Sequence, residues 1–223
     1  MHNKAITPME QPFTVPLVSG ILHQPPVSHA SGDAFALTHG AGSNHNAPLL
    51  TAIARSLAEA GYTVLRYDLP FRQQRPKGSP FPAGAARDRE GIAAAIAALR
   101  AMVSGRVFAG GHSYGGRQTT MAAAENPQLA DALLLCSYPL HPPGKPAQLR
   151  TGHFPDLRTR ALFIHGTSDA FGSIDEMREA LAMIPAPTEL MPVEGAGHDL
   201  KRAASLSADI LTRFHALLCY PEK

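Results

Sequence analysis

Cysteine is scarce in this chain. Only Cys136 and Cys219 occur in 223 residues. Two cysteines do not make a disulfide framework, so both read as reduced thiols. Long apolar runs are lacking too. None approaches membrane-spanning length, and residues 1–11 lack the apolar core of a secretion signal. Neither sign of charge dominates: 20 Lys and Arg stand against 18 Asp and Glu, a net charge of +2. That balance gives no electrostatic case for nucleic acid or a membrane surface as a partner. The absences together lead to the expectation of a cytoplasmic protein.

What is present reads as a globular chain. Hydrophobic residues make up 44% and charged residues 17%, and the length suits one large domain with a sizeable core. Residues 1–12 read as a loose polar arm and residues 13–223 as a single domain. The 20 prolines cluster in the arm, at Pro70 to Pro82 and at Pro139 to Pro146, and mark loops rather than element interiors.

Phe13 to Leu22 reads as an antiparallel strand pair or sheet edge. Short apolar runs then alternate with helical patterns. Strands are expected at Ala34–Thr38, Tyr62–Tyr67, Arg106–Ala109, Ala132–Ser137, Ala161–Ile164 and Thr188–Val193. Helices are expected at Pro48–Ala60, Ala85–Val103, Arg117–Glu125 and from Ser173, where Ser173 and Glu176 have the capping-box form, to about Ile184. A last amphipathic helix carries Ile210, Leu211, Phe214, Leu217 and Leu218. Asp68 to Pro82 reads as a proline-bounded loop. Alternation of this kind implies βαβ units and a mostly parallel sheet with helices on both faces. In such a sheet, functional groups gather at the carboxyl ends of strands. Those ends carry His39-Gly40, Asp68, Gly111–Ser113, Ser137, Asp169 and His198.

Gly111-His112-Ser113-Tyr114-Gly115 stands between a strand and a helix. A sharp turn there pushes a serine hydroxyl out of the sheet edge, and the glycines are needed where neighbouring backbone comes too close for a Cβ. A serine hydroxyl is a poor nucleophile until a base takes its proton. His198 follows the last strand and is the expected base. Asp169 follows the strand before it and is the expected acid that orients the imidazole. Asp175 and Asp199 compete with Asp169 but read as helix first-turn carboxylates. His112, His141 and His165 compete with His198. His112 lies inside the turn, and His165 reads as packed at its strand end. His141 either lines the pocket or is merely exposed. Backbone N–H groups of Tyr114 and of Ala41, with Gly42 as second choice, are the expected oxyanion donors.

The motifs His39-Gly40-Ala41-Gly42, Arg66 to Phe71, Gly111 to Gly116, Tyr138 to Gly144, Gly166 to Gly172 and Gly197-His198 resemble those of dienelactone-hydrolase-like α/β-hydrolases. More narrowly, they are similar to those of the small family of testis-expressed and NSL-complex-subunit hydrolase-like proteins and their bacterial relatives. The resemblance implies an α/β-hydrolase fold and a serine-hydrolase triad. It leaves the substrate undefined, and some members act as partners rather than catalysts.

The interval Tyr138 to Arg160, about 23 residues, is too short and Pro-rich for a helical cap domain. An open, shallow pocket for a small soluble acyl substrate is therefore expected, with cleavage of an ester, thioester or similar bond through an acyl-enzyme. A small peptidase or amidase on the same triad is the second reading, and a non-catalytic binding or scaffold protein the third. Arg72, Arg75 and Lys77 form either a solvated basic loop or one in which Arg72 or Arg75 reaches the mouth of the site and pairs with an anionic substrate group. Eleven histidines show no metal-ligand spacing, so neither metal nor cofactor is expected. Nothing in the sequence speaks to oligomeric state.

Overall fold

The computed structural model of the protein describes residues 8–201 and 207–220. Its strands are β1 (Met9–Val15), β2 (Val18–Gln24), β3 (Ala34–Thr38), β4 (Thr63–Asp68), β5 (Val107–His112), β6 (Leu133–Cys136), β7 (Ala161–Gly166) and β8 (Thr188–Val193). The helices are α1 (Pro48–Glu59), α2 (Pro70–Gln74), α3 (Ala85–Arg100), α4 (Tyr114–Glu125), α5 (Ile174–Leu181) and α6 (Ser207–Leu218). The strands form one sheet in the order β1-β2-β4-β3-β5-β6-β7-β8. The β1–β2 and β2–β4 pairs are antiparallel. Every pair from β4–β3 onward is parallel.

The central strands β3, β5, β6 and β7 carry no polar side chain until their carboxyl ends, where Thr38, His112 and His165 stand, because helices cover both faces. Alternate residues feed the two layers. Phe35, Leu37, Phe108, Leu134, Cys136, Leu162 and Ile164 face α1 and α6 and pack with Ile53, Leu57, Ile210 and Phe214. Ala34, Ala36, Val107, Ala109, Leu133, Leu135 and Phe163 face the other way, toward Ile92 and Ile96 of α3, Ala123 of α4 and Met177 of α5. Leu133 of β6 lies opposite both Ala109 and Ala161, so this register fixes which loops meet at the carboxyl edge.

Two expectations shift. The sheet begins at Met9, so residues 9–12 of the expected arm belong to an edge strand. Polar contacts hold it there: Gln11 donates to Gln24 at 2.8 Å, and Glu10 pairs with Arg55 at 2.8 Å. Pro12 is tolerated because an edge strand leaves every second N–H unpaired. Residues 1–7 lie outside the described residues. The loop expected from Asp68 to Pro82 contains a helix, α2, with Pro70 in its first turn, where a fixed φ and a missing N–H cost nothing. The segment Tyr138 to Arg160 holds a single short 3₁₀ turn, Phe154–Asp156, and no cap. Among the described residues, no helix is long and apolar enough to cross a membrane.

Candidate active site

The elbow between β5 and α4 holds Ser113 at φ +52° and ψ −115°. A non-glycine residue in that region carries strain of about 1–3 kcal/mol, sustained only where the surroundings enforce it. Here the Ser113 N–H donates to the Cys136 carbonyl at 2.9 Å, which anchors the turn to the end of β6. A Cβ on Gly111 would strike the Thr38 carbonyl, and one on Gly115 the His39 carbonyl. The Gly115 N–H instead bonds that carbonyl at 3.1 Å. The nucleophile turn therefore sits directly on the end of β3.

The loops after β7 and β8 bring Asp169 and His198 to this point. His198 Nε2 lies 2.7 Å from Ser113 Oγ. Its Nδ1 lies 2.8 and 3.1 Å from the two Asp169 carboxylate oxygens. A carboxylate can only accept, so the partners assign the ring proton to Nδ1 and leave the Nε2 lone pair facing the serine hydroxyl. Asp169 is buried and also accepts the Phe171 N–H at 2.9 Å. Burial pushes its carboxyl up, but the hydrogen bonds from His198 and Phe171 and the charges of His198 and His165 together hold it below its ordinary value. The Phe171 ring stacks on the His198 ring at 4.1 Å.

The competing residues have other occupations. Asp175 pairs with Arg178 at 2.6 Å and Asp199 with Lys201 at 3.3 Å, both on the surface. His165 is buried behind Asp169, with Nε2 2.8 Å from the Gly172 carbonyl. His112 turns its ring away from the hydroxyl, and its Nε2–H donates to the His198 carbonyl at 2.8 Å. That contact ties the elbow to the histidine loop. Sequence reasoning had no signal for this role, nor for the Phe171 stack.

The chain after β3 passes against the elbow: a Cβ on Gly40 would lie 3.4 Å from Ser113 Cβ. Among the described residues, the N–H groups of Ala41, Gly42 and Tyr114 have no acceptor. The Gly40 carbonyl is turned away, accepting from Ser43 N–H at 3.1 Å and from His39 Nδ1 at 2.8 Å. His39 Nε2 takes the Leu69 N–H at 3.2 Å, which fixes this tautomer. On the other side of the elbow, the Tyr114 hydroxyl donates to buried Asp88 at 2.7 Å, and Asp88 also accepts the Phe71 N–H at 3.0 Å. Burial raises the Asp88 carboxyl, partly offset by those two bonds and by Arg89.

The three expected substrate contacts lie elsewhere. Arg72 is buried rather than at the mouth, because its guanidinium is taken up by main-chain carbonyls. Arg75 folds over the Phe81 ring at 3.9 Å and bonds the Ser79 carbonyl at 2.9 Å, within its own loop. His141 is buried, with Nδ1 on the Pro142 carbonyl at 2.9 Å and Nε2 3.6 Å from Glu176, at the α5 cap. None of the three presents its side chain to Ser113.

A mostly parallel eight-stranded sheet that carries such a serine after β5, a carboxylate after β7 and a histidine after β8 is the α/β-hydrolase fold, here without a cap. The chain belongs to the α/β-hydrolase domain family, whose model matches residues 31–214. Solved structures agree on the architecture. A dienelactone hydrolase from Anabaena variabilis superposes with a TM-score of 0.74 over 96% of this chain and 99% of its own, at 22% identity. A serine hydrolase without lid from Xanthomonas campestris gives 0.70 over 93% and 95%, at 16% identity. Est1E from Butyrivibrio proteoclasticus gives 0.70 over 95% and 99%, at 13% identity. At these identities the likeness is one of fold, and the dienelactone-hydrolase-like resemblance seen in the sequence holds at that level.

Proposed function

We propose that the protein is a serine hydrolase that cleaves an ester, thioester or similar acyl bond of a small substrate through Ser113, His198 and Asp169. The observation that carries this reading is the continuous hydrogen-bond line from Ser113 Oγ to His198 Nε2 at 2.7 Å and from His198 Nδ1 to Asp169 at 2.8 Å.

In the first half-reaction His198 Nε2 takes the Ser113 hydroxyl proton as Oγ bonds to the substrate carbonyl carbon. The carbonyl electrons move onto oxygen, and the N–H groups of Tyr114 and Ala41 stabilise that oxyanion. Each such donor is worth roughly 3 kcal/mol in comparable sites. The intermediate collapses, the bond to the leaving group breaks, and His198 returns the proton to it. A water then repeats the sequence on the acyl-enzyme, releasing the acid and restoring Ser113. Asp169 stays ionised throughout, holds the Nδ1–H tautomer and stabilises the imidazolium. Its depressed carboxyl is suited to that task. With only the short Tyr138–Arg160 segment over the edge, the site suits small soluble acyl groups rather than ones that need a lid.

A fluorophosphonate probe tests the proposal. Wild type is expected to label covalently and Ser113→Ala not to label. A wild-type protein that is folded yet inert to the probe would sink the reading in favour of a scaffold role. A panel of p-nitrophenyl esters of increasing acyl length then measures the preferred substrate size.

A further inference from the structure

Arg72 spends a buried cation on backbone. Its Nε donates to the Ser43 carbonyl at 2.7 Å and one Nη2 hydrogen to the Ala41 carbonyl at 2.8 Å. The remaining contacts run to Gly78 at 3.0 Å and Arg75 at 3.1 Å. Its residue is 5% exposed, and among the described residues no carboxylate lies within ion-pair distance of it. A buried charge without a counter-ion is normally costly. Here four carbonyl dipoles, two from the turn after β3 and two from the loop after α2, stand in for the counter-ion together with the face of the Phe71 ring at 4.9 Å.

The carbonyls it holds follow the proposed oxyanion donor, the Ala41 N–H, and flank Gly42, the second candidate. A trans peptide is planar, so its C=O and N–H point in opposite directions. Pinning the Ala41 carbonyl toward Arg72 turns the Gly42 N–H the other way. Pinning the Ser43 carbonyl fixes the exit of the same turn. The Gly40–Ala41 peptide is already held by His39 and by the Ser43 N–H, at 2.8 and 3.1 Å. Without Arg72 the Ala41–Gly42 peptide has no partner on its carbonyl and can rotate, which moves the Gly42 N–H directly and frees the Ala41 Cα, leaving the Ala41 N–H held from the Gly40 side alone. A lysine cannot substitute, because one ammonium lacks the planar fork that reaches carbonyls on both sides.

We propose that Arg72 is the positioning residue of the oxyanion turn, setting the peptide planes at Ala41 and Gly42 without touching the substrate. This rests on the serine-hydrolase reading above. It replaces the idea that the basic loop pairs with a substrate anion.

The test compares wild type, Arg72→Ala and Arg72→Lys by p-nitrophenyl acetate hydrolysis and by the rate of fluorophosphonate labelling, at a temperature where circular dichroism shows each folded. Arg72→Ala is expected to lose about 10²-fold in kcat, the scale of a misplaced oxyanion donor, with KM changed less than about threefold. Guanidinium chloride at about 50 mM, against an equal concentration of NaCl, is expected to recover about tenfold of that loss, since the free ion refills the cavity with the same fork. Arg72→Lys is expected to lose about tenfold or more, and it decides the matter should the alanine variant not fold. A merely structural arginine would lower Tm but leave kcat of the folded variant and its response to guanidinium at wild-type values. That result would overturn the proposal while the wild-type enzyme remained active. A wild type that neither labels nor hydrolyses would overturn the parent reading and this one with it.

Discussion

Two histidine–carboxylate pairs stand at the carboxyl edge of the sheet. His198 meets Asp169 through Nδ1 at 2.8 Å, and His45 meets Asp68 through Nδ1 at the same distance. Pair geometry does not separate them. The rest of the surroundings do. Beyond His198 stands a strained serine 2.7 Å from Nε2, and a phenylalanine ring lies flat on the imidazole. Among the described residues, no hydrogen-bond partner meets the far nitrogen of His45. Asp68 also accepts the His45 N–H at 2.7 Å and lies 3.4 Å from His39 Nε2. It staples the turn after β3 to the end of β4. One pair faces a serine hydroxyl and the other fastens a loop, and only the third partner tells them apart.

Substitutions at equivalent atoms break this comparison most directly. His198→Gln is expected to lower kcat by about 10⁶-fold, as loss of the base does in a comparable triad. Asp169→Asn is expected to cost about 10⁴-fold by leaving the wrong tautomer at Nδ1. Asp68→Asn makes the same chemical change in the other pair. It is expected to cost about 1 kcal/mol of stability, read by denaturant unfolding, and less than about tenfold in kcat. If Asp68→Asn matched Asp169→Asn in kcat, the two pairs would share a role and the distinction would fall.

Acid sharpens the same contrast with a smaller effect. The Asp169 carboxyl lies below its reference value of 3.8 in the folded protein. Its contribution to stability is therefore present above that value and is lost only as pH falls below it, through the folded pKa. His39, beside Asp68, is also lowered, but by burial, which favours its neutral form and holds the imidazole well below the ordinary value of 6.5. The unfolded chain then binds that proton more readily, so the neutral ring's contribution starts to fade once pH drops below about 6.5. Ring ¹⁵N spectra of the folded protein at pH 5.5 should show His39 neutral with its proton on Nδ1. A titration centred near 6.5 would contradict the burial argument. Smaller still is Asp88→Ala, which strips the Tyr114 hydroxyl and Phe71 N–H of their acceptor. It is expected to cost about 2 kcal/mol in unfolding free energy.

The sheet and the order of the residues at its strand ends were legible because both are written in linear order. Continuous apolar runs such as Leu133–Cys136 have to be strands buried on both faces, and the residues that follow them have to meet at one edge. Ser113 and Asp169 follow such runs, and His198 follows the more polar edge strand β8. Arg72 was misread because its partners are carbonyls, which every residue possesses and no sequence displays. A basic loop at a strand end looks the same whether its arginine faces water or fills a cavity. Pro70 was taken for punctuation although proline also opens helices, and five residues of α2 are too few for periodicity to show. The first residues of the edge strand, 9–12, escaped because they are exposed and polar side-chain contacts hold them, while the apolar contacts of β1 begin at Phe13.

The hydrogen bonds that assemble the site join distant parts of the chain. His198 reaches Ser113 across 85 positions, and His112 reaches the His198 carbonyl across 86. Contacts of such separation form late, after the loop-closure entropy of the whole parallel sheet has been overcome. The three groups meet only once the carboxyl ends of β5, β7 and β8 have been brought side by side. Recovered labelling of Ser113 during refolding would therefore serve as a clock for completion of the fold, trailing the return of helical signal rather than accompanying it.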